Sequence, residues 1–273
     1  MVTDIFDLRG PEFLALYAAL LALAILLGAI LPRLVRPAGA MAAPAGAEEA
    51  AYLAGGADRL AESAVARLLS ARALVVDGQR FAMNRTAVAR SEVERAILRL
   101  PDRSGWNQVR RAIAPEAARI RDRLVRSGLL KDAAARLRTR AVQTAPYAVL
   151  VVIGLAKIEV GLARGKPVGI LVSLVIVTAF LGVIRWFTLD ARTSAGARAI
   201  KGMALEYDRM RRAPVREETG MAVALFGTTV LAGSPMADFH ALRAPGSSSG
   251  DSGGSGCSGG GGGGCGGCGG GGD

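Results

Sequence analysis

Three long runs of uncharged, largely apolar residues constrain this chain more than any other feature of its sequence. They cover residues 13–31, 141–156 and 167–184, and the apolar pattern of the second run continues to residue 163. The hydrocarbon core of a bilayer is about 30 Å thick and is crossed by roughly 17–25 helical residues. We therefore predict three transmembrane helices, at about 13–31, 146–163 and 167–186. A fourth uncharged run, residues 221–233, is too short to span a bilayer and predicts a buried or interfacial helix.

The second predicted span contains two charged residues, Lys157 and Glu159. Charges inside a membrane are costly and are typical of ion or proton paths. Here Lys157 lies about 16 Å along the helix from Pro146, so both side chains can extend to the nearer interface. Residues two positions apart do not meet on one helix face. We therefore expect no transport role for this pair.

The first run has an alternative interpretation as a cleaved signal peptide, with Ala38-Gly39-Ala40 as the cleavage site. Two observations favour a retained membrane anchor instead. Asp4 and Asp7 accompany the single Arg9 before the run, so the segment that precedes it is not positively charged. The run is also longer than the apolar part of a signal peptide, which has about 7–15 residues.

Basic residues predict the orientation of the spans. Residues 33–140 contain 21 Lys and Arg against 11 Asp and Glu. Because cytoplasmic segments next to spans carry an excess of Lys and Arg, this segment is predicted to be cytoplasmic and the N-terminus external. Arg164 and Lys166 would then lie in an external loop, which argues mildly against the arrangement.

The segment between the first two spans is predicted to fold. Residues 37–47 are mostly Ala, Gly and Pro and predict a linker. A short helix over 48–54 is expected to end at Gly55-Gly56, and a longer helix over 58–72 carries an apolar stripe. Asp77-Gly78 lies between two short apolar-polar runs, which indicates a β-hairpin whose two turn positions both need positive φ.

Capping residues predict the helices that follow. Ser91 and Glu94 form a capping box, so a helix should begin there and end before Pro101. Pro115 suits the first turn of another helix, and Gly128 suits the position just after its end.

Helices and a hairpin together give the outline of a winged-helix unit, which suggests binding to nucleic acid. Phosphates would then contact Arg59, Arg67 and Arg72, or Arg80 and Arg85 of the wing. However, arginine is spread over several predicted helices and is not concentrated on one, and aromatic residues that could stack on bases make up only 5% of the chain. We expect an interaction or spacer domain instead. Anionic lipids of the inner leaflet are a nearer partner for these arginines. Each basic residue near the membrane surface contributes about 1 kcal/mol to the free energy of binding.

No sequence signature supports an enzyme. His240 is the single histidine, and Asp238 lies two residues before it, but no nucleophile or metal motif accompanies them. A hydrophobic content of 51% is too high for a disordered chain, and three cysteines are too few for a disulfide scaffold. We predict a protein without catalytic residues or a cofactor.

Residues 246–273 consist only of Gly, Ser, Cys and Asp, which predicts a disordered low-complexity tail. Cys265 and Cys268 form a CxxC motif, and Cys257 lies eight residues before it. Such thiolates can bind zinc, copper(I) or an iron–sulfur cluster, although a structural zinc site needs four ligands. Metal or thiol chemistry at these three cysteines is therefore the alternative function. In the reducing cytoplasm the thiols would stay free.

Four short motifs resemble those of a family of uncharacterised bacterial membrane proteins. They are residues 8–17 (LRGPEFLALY), 51–56 (AYLAGG), 161–169 (GLARGKPVG) and 224–227 (ALFG). Proteins of this family commonly end in a Gly/Cys-rich tail. The resemblance implies a location in the bacterial inner membrane, and no activity or catalytic residue.

The sequence thus predicts a mainly α protein with three transmembrane helices, a small cytoplasmic winged-helix-like domain with one hairpin, and a disordered Gly-rich tail. The predicted divisions are 1–36, linker 37–47, basic domain 48–140, paired spans 141–187, juxtamembrane helical segment 188–245 and tail 246–273. The predicted function is a non-catalytic multi-pass membrane anchor that binds lipid and an unidentified protein. Metal or thiol handling and membrane-tethered nucleic-acid binding are the alternatives.

Overall fold

The computed structural model describes residues 10–34, 39, 42–84, 86–163, 165, 168–188, 191–212 and 214–244, and the predicted tail with its three cysteines lies outside them. In chain order the elements are α1 (Gly10–Leu34), α2 (Ala47–Ser70), β1 (Leu74–Asp77), β2 (Arg80–Met83), α3 (Glu92–Leu98), β3 (Ser104–Gly105), α4 (Trp106–Arg126), α5 (Ala133–Ala163), α6 (Gly169–Phe187), α7 (Ser194–Glu206), α8 (Asp208–Arg212), α9 (Thr219–Phe226) and α10 (Ala237–Arg243). Two 3-10 helices, Arg216–Glu218 and Thr228–Leu231, flank α9. The elements form two compact units, which we call the three-helix unit (α1, α5, α6) and the two-segment unit (the described residues of chain segments 42–132 and 192–244).

The three-helix unit confirms the prediction of three helices long and apolar enough to cross a membrane. The candidate spans are Glu12–Leu31, Ala133–Ala163 and Gly169–Phe187. Their inner faces form one small core, to which α1 contributes Phe13, Tyr17, Leu21 and Ala24 at near-helical spacing. The outer faces carry large exposed apolar side chains, among them Leu26, Val152 and Phe180. Such faces suit contact with lipid.

The second candidate span is longer than its apolar run. Helix α5 has 31 residues, or about 46 Å at 1.5 Å per residue, and begins at Ala133. Pro146 lies inside it and does not start it. The N-terminal part of α5 therefore extends the span with a basic stretch that contains Arg136, Arg138 and Arg140.

The two-segment unit is organised around α2. The expected break after its first turns is confirmed, because Gly55 and Gly56 have non-helical backbone angles inside the helix. On both sides of the break α2 buries small and branched apolar residues, among them Ala51, Leu60, Ala64 and Val65. Small side chains allow neighbouring helices to approach α2 closely.

The predicted hairpin is confirmed, with one correction to its turn. Strands β1 and β2 pair antiparallel, with Asp77 opposite Arg80, and β3 joins the other edge of β2. The turn positions are therefore Gly78 and Gln79, and not Asp77 and Gly78. Only Gly78 of this pair has positive φ, at 60°, a conformation that glycine adopts without steric cost.

The helix ends follow most of the capping predictions. Ser91 caps α3 by accepting a hydrogen bond of 3.2 Å from the Glu94 N–H, and α3 ends before Pro101. Gly128 follows α4 with φ 71°, as expected. The prediction that Pro115 starts a helix is wrong, because Pro115 lies in the middle of α4. The buried stripe from Val109 to Leu124 continues on both sides of the proline and holds the helix together.

The chain segment after α6 packs into the same core as the segment before α5. Helix α9 lies against α2, where Ser63 Oγ donates a hydrogen bond of 2.7 Å to the Gly220 carbonyl. The fourth apolar run is partly buried, with Ala222, Val223 and Leu231 fully inaccessible, but it is not one helix: it divides at Gly227 between α9 and the second 3-10 helix, and its last two residues are exposed. Residues 192–244 are thus part of the fold that residues 42–132 begin.

The chain leaves and re-enters the two-segment unit at adjacent points. Leu130, just before α5, and Arg192, just after α6, form an antiparallel β-bridge. Thr193 reinforces it: its N–H donates to the Leu129 carbonyl at 3.1 Å, and its hydroxyl donates to the Gly128 carbonyl at 2.7 Å. Along the chain, α5 and α6 therefore separate the two segments of this unit, whose ends at Leu130 and Arg192 are adjacent.

Candidate functional site

A buried ion-pair network lies at the C-terminal end of α2. The Glu94 side chain is only 3% exposed, and its Oε1 accepts a 2.5 Å hydrogen bond from Arg67 Nε. Its Oε2 accepts a 2.6 Å bond from the Arg90 backbone N–H. Arg67 Nη2 also lies 3.3 Å from Ser91 Oγ and 3.5 Å from Glu48 Oε1. Both carboxylate oxygens of Glu94 are satisfied, so its charge is held in one geometry.

This network forms one wall of a cavity of about 310 Å³. Two of the side chains around the cavity, Arg67 and Glu94, belong to the network, and Arg90 lies in the loop before α3. Arg216 and Glu217 come from the 3-10 helix in the second chain segment. The rest of the lining comes from the end of α2, the turn before β1 and the loop after β2, and consists of Leu68, Ser70, Ala71, Ala73, Ala87 and Val88. The cavity therefore exists only when both chain segments are folded together.

Two of the arginines suggested for phosphate binding make contacts within the fold. Arg59 pairs with Glu62 at 3.3 Å, and its Nη1 lies 3.5 Å from the Val223 carbonyl. Arg67 belongs to the buried network. Arg72 and Arg80 are exposed, and Arg85 lies outside the described residues. Two of the five are thus engaged inside the fold.

His240 lies among residues that pack α10 against the rest of the unit. Its Nδ1 lies 3.2 Å from Thr228 Oγ1, and the Asp238 side chain is exposed. The neighbouring Phe239 is buried in an aromatic cluster with Phe81 and Trp106, whose ring centroids are 6.1–6.4 Å apart. This arrangement attaches α10 to the hairpin and to α4.

The side chain of Arg243 packs against the same aromatic cluster. The Arg243 guanidinium carbon lies 4.1 Å from the centroid of the Trp106 ring, and two of its nitrogens lie 3.2 Å from Glu62 Oε1. Trp106 therefore reports on the packing of α2, α4 and α10.

The charged residues of the second span lie at one end of the three-helix unit. Lys157 Nζ is 4.8 Å from the centroid of the Phe13 ring, and the Glu159 side chain is exposed. Nearer the middle of the unit, the Tyr17 hydroxyl lies 3.3 Å from the Leu150 carbonyl and 3.2 Å from Thr178 Oγ1. These contacts tie α1 to α5 and α6 through satisfied polar groups.

Arg185 joins all three helices at the opposite end. Its Nη2 donates to the Gly28 carbonyl of α1, and its own carbonyl accepts from Gln143 Nε2 of α5. Pro32 follows Gly28 by four positions, and proline has no N–H to donate to that carbonyl. Arg185 thus satisfies the acceptor that the proline leaves open.

No group of three or more His, Cys, Asp or Glu side chains within the described ranges could hold a metal ion. Cys257, Cys265 and Cys268 lie beyond those ranges. Sequence reasoning identified Glu94 only as a capping residue and missed its pairing with Arg67. It gave no role to Arg216, because no local pattern indicates a contact between segments so far apart in the chain.

No protein-family model, curated protein or solved structure matches this chain.

Proposed function

We propose that this chain is a non-catalytic, multi-pass protein of the bacterial plasma (inner) membrane that holds the two-segment unit on the cytoplasmic side as an interaction module. One observation carries the proposal. The unit is assembled from two chain segments that are separated by two candidate membrane spans, α5 and α6.

The shared core limits the possible topologies. Residues 42–132 and 192–244 can pack together only if they lie on the same side of the bilayer. The chain between them must then cross the bilayer an even number of times. Because α5 and α6 are both apolar enough to cross, two crossings satisfy this condition, and the adjacent exit points at Leu130 and Arg192 suit a helical hairpin.

The distribution of basic residues favours the cytoplasm as the side of the bilayer on which the two-segment unit lies. The end of the three-helix unit that continues into the two-segment unit carries Arg136, Arg138, Arg140 and Arg185. The Arg140 guanidinium carbon lies 5.7 Å from the centroid of the Trp186 ring, a pairing typical of a membrane interface. At the opposite end lie Glu12, Lys157 and Glu159, and the sequence places Arg164 and Lys166 in the loop between α5 and α6. Under the positive-inside rule, the larger group of arginines at the first end supports the cytoplasm as its side.

The proposed partners follow from the surface of the two-segment unit. Several of its arginines are exposed, and their long side chains can reach anionic groups of inner-leaflet lipids or of a protein; they include Arg72, Arg80, Arg111, Arg126 and Arg198. The membrane anchor would keep the unit near the lipid surface, where each basic residue contributes about 1 kcal/mol. The resemblance to uncharacterised bacterial membrane proteins supports the same location.

Photo-crosslinking in living cells tests the interaction. A photoreactive residue would replace Arg111 or Arg126 in one set of variants, and Leu26, which faces outward from α1, in the control. The proposal expects lipid or protein adducts at the first two positions that differ from those at Leu26. Reproducible substrate turnover by the purified protein, lost after a point substitution, would refute the non-catalytic role.

Metal or thiol handling by Cys257, Cys265 and Cys268 is the alternative function, favoured by the CxxC motif. Metal analysis of the intact protein beside a variant with all three cysteines replaced by serine tests it. A higher metal content in the natural protein would support this alternative, and equal contents would end it.

Membrane-tethered nucleic-acid binding is the second alternative. Its basis is the proposed winged-helix-like outline of the helices around β1 and β2. The internal contacts of Arg59 and Arg67 make it the weaker hypothesis, because phosphates would have to compete with those contacts. Salt-dependent binding of DNA by the full chain would support it, and no binding at low salt would remove it.

A further inference from the structure

The cavity beside Arg67 and Glu94 combines features of a small-ligand site. Its volume of about 310 Å³ lies at the lower end of the range of such sites, which is about 300–1,000 Å³. Its walls come from the end of α2, the loop before α3 and the 3-10 helix before α9. Since both chain segments contribute, the cavity is fixed by the core of the unit.

The inner wall is polar but offers no cation to a ligand, because the charge of Arg67 is outweighed by those of Glu94 and Glu48. The guanidinium of Arg67 is matched by Glu94 at 2.5 Å and by Glu48 at 3.5 Å. Both oxygens of Glu94 already accept hydrogen bonds. This wall can therefore orient a ligand by shape, while recognition of charge must come from the rim.

Two cationic side chains lie on the rim of the cavity. Arg90 and Arg216 are exposed at the cavity, and within the described residues neither guanidinium forms a hydrogen bond or an ion pair. Glu217 is the one exposed acidic residue on this rim, so the exposed rim has a net charge of +1. Guanidinium groups present a planar set of donors that fits carboxylate and phosphate oxygens.

An apolar patch lies beside these cations. Val88 is 87% exposed, although it is a large hydrophobic residue, and Ala87 lies next to it in the same lining. A ligand that covers Val88 would remove apolar surface from water, which is favourable. The cavity thus offers one anion-binding rim and one adjacent apolar wall.

We infer that this cavity binds a small phosphate- or carboxylate-bearing molecule, with the oxyanion on Arg90 and Arg216 and a short apolar group against Ala87 and Val88. The oxyanion can belong to a soluble metabolite or to a lipid headgroup. The inference goes beyond anchoring and does not depend on the topology proposed above, so its failure would leave the membrane arrangement intact.

Calorimetric titration of the full chain in a non-ionic detergent tests the inference. The probes are n-butyl phosphate, inorganic phosphate and n-butanol. Butyl phosphate should bind more tightly than inorganic phosphate, because only the former covers the apolar wall. Butanol, which lacks the oxyanion, should not bind measurably.

Matched variants locate the site. R90Q and R216Q should each weaken butyl phosphate by about tenfold, the effect expected for loss of a charged hydrogen bond. R99Q removes another exposed arginine of the same unit that does not line the cavity, and it should leave the affinity unchanged. V88N should remove the preference over inorganic phosphate. Unchanged thermal unfolding would show that each variant is folded.

Two vesicle preparations distinguish the sources of the ligand. The chain would be reconstituted into phosphatidylcholine vesicles with and without phosphatidylglycerol, and butyl phosphate would be titrated into each preparation. Weaker binding in the anionic vesicles alone indicates a headgroup, and equal binding in both indicates a soluble ligand. The inference is overturned if butyl phosphate does not bind, or if R99Q weakens it as much as R216Q does.

Discussion

At the scale of single residues, the two-segment unit depends on one buried carboxylate. Glu94 Oε1 lies 2.5 Å from Arg67 Nε, and the Glu94 side chain is 3% exposed. Removing the Glu94 carboxylate would leave Arg67 with only the more distant Glu48, at 3.5 Å, as its counter-charge. Glu92, two positions earlier in α3, pairs with Arg95 at the surface, where both side chains are about half exposed. The same helix thus offers a buried pair and an exposed control.

We predict that Glu94→Gln lowers the free energy of unfolding by about 2–3 kcal/mol. This is less than the loss at a fully buried pair, because the Arg67 side chain is 25% exposed. Glu92→Gln should cost less than about 1 kcal/mol. Urea unfolding followed by Trp106 fluorescence, in a background with Trp186 replaced by Phe, measures both. Equal losses for the two variants would contradict the assigned role of Glu94.

A second residue, Arg185, is predicted to compensate for a proline in another helix. Arg185→Met leaves the Gly28 carbonyl without a donor, and we expect a loss of about 1–2 kcal/mol in detergent. Pro32→Ala restores an N–H four residues after Gly28, so in that background the same substitution should cost less than about 0.5 kcal/mol. Unfolding followed by Trp186 fluorescence, with Trp106 replaced by Phe, gives both values. A cost that is the same in both backgrounds would rule out the compensation.

At the scale of elements, the two-segment unit depends on the packing of α2 against α9. These two helices are separated along the chain by α5 and α6. We predict that residues 42–132 and 191–244, joined by a single glycine in place of α5 and α6, form a soluble protein with cooperative unfolding. The antiparallel bridge between Leu130 and Arg192 brings the two ends together, so a short turn can connect them. Residues 42–132 alone should unfold without cooperativity, because the buried face of α2 lacks α9. Cooperative unfolding of the single segment would contradict this account.

The elements that the sequence predicted correctly have local signals. Apolar length indicated the three candidate spans, Ser91 indicated the start of α3, and Gly78 indicated the hairpin. The prediction that Pro115 starts a helix was wrong. Its missing N–H and fixed φ suit a first turn, but the apolar stripe of α4 continues through it and keeps it in the middle of the helix.

The long-range features had no such signal. The pairing of α2 with α9 rests on small side chains such as Ala64 and Ala222, which occur throughout this chain. The cavity combines Arg90 with Arg216, more than a hundred residues apart. Packing between segments at that separation depends on shape, which residue types and periodicity do not specify.

At the scale of the whole molecule, charge and chain connectivity support the same arrangement. The two-segment unit continues into the arginine-rich end of the three-helix unit at the exits near Asp132 and Ala191. If α5 and α6 both cross the bilayer, the loop near Gly165 lies on the opposite side from both chain segments. One labelling experiment can therefore compare three positions: one in each segment of the two-segment unit, and one at the end of α5.

Labelling of single cysteines with a membrane-impermeant maleimide tests the central claim most directly. The three tail cysteines would be replaced by serine, and one cysteine introduced at Asn107, Glu206 or Ala163, all exposed positions. The account predicts that Ala163→Cys is labelled in intact cells, whereas Asn107→Cys and Glu206→Cys are labelled only after the membrane is permeabilised. Labelling of either Asn107→Cys or Glu206→Cys in intact cells would contradict it.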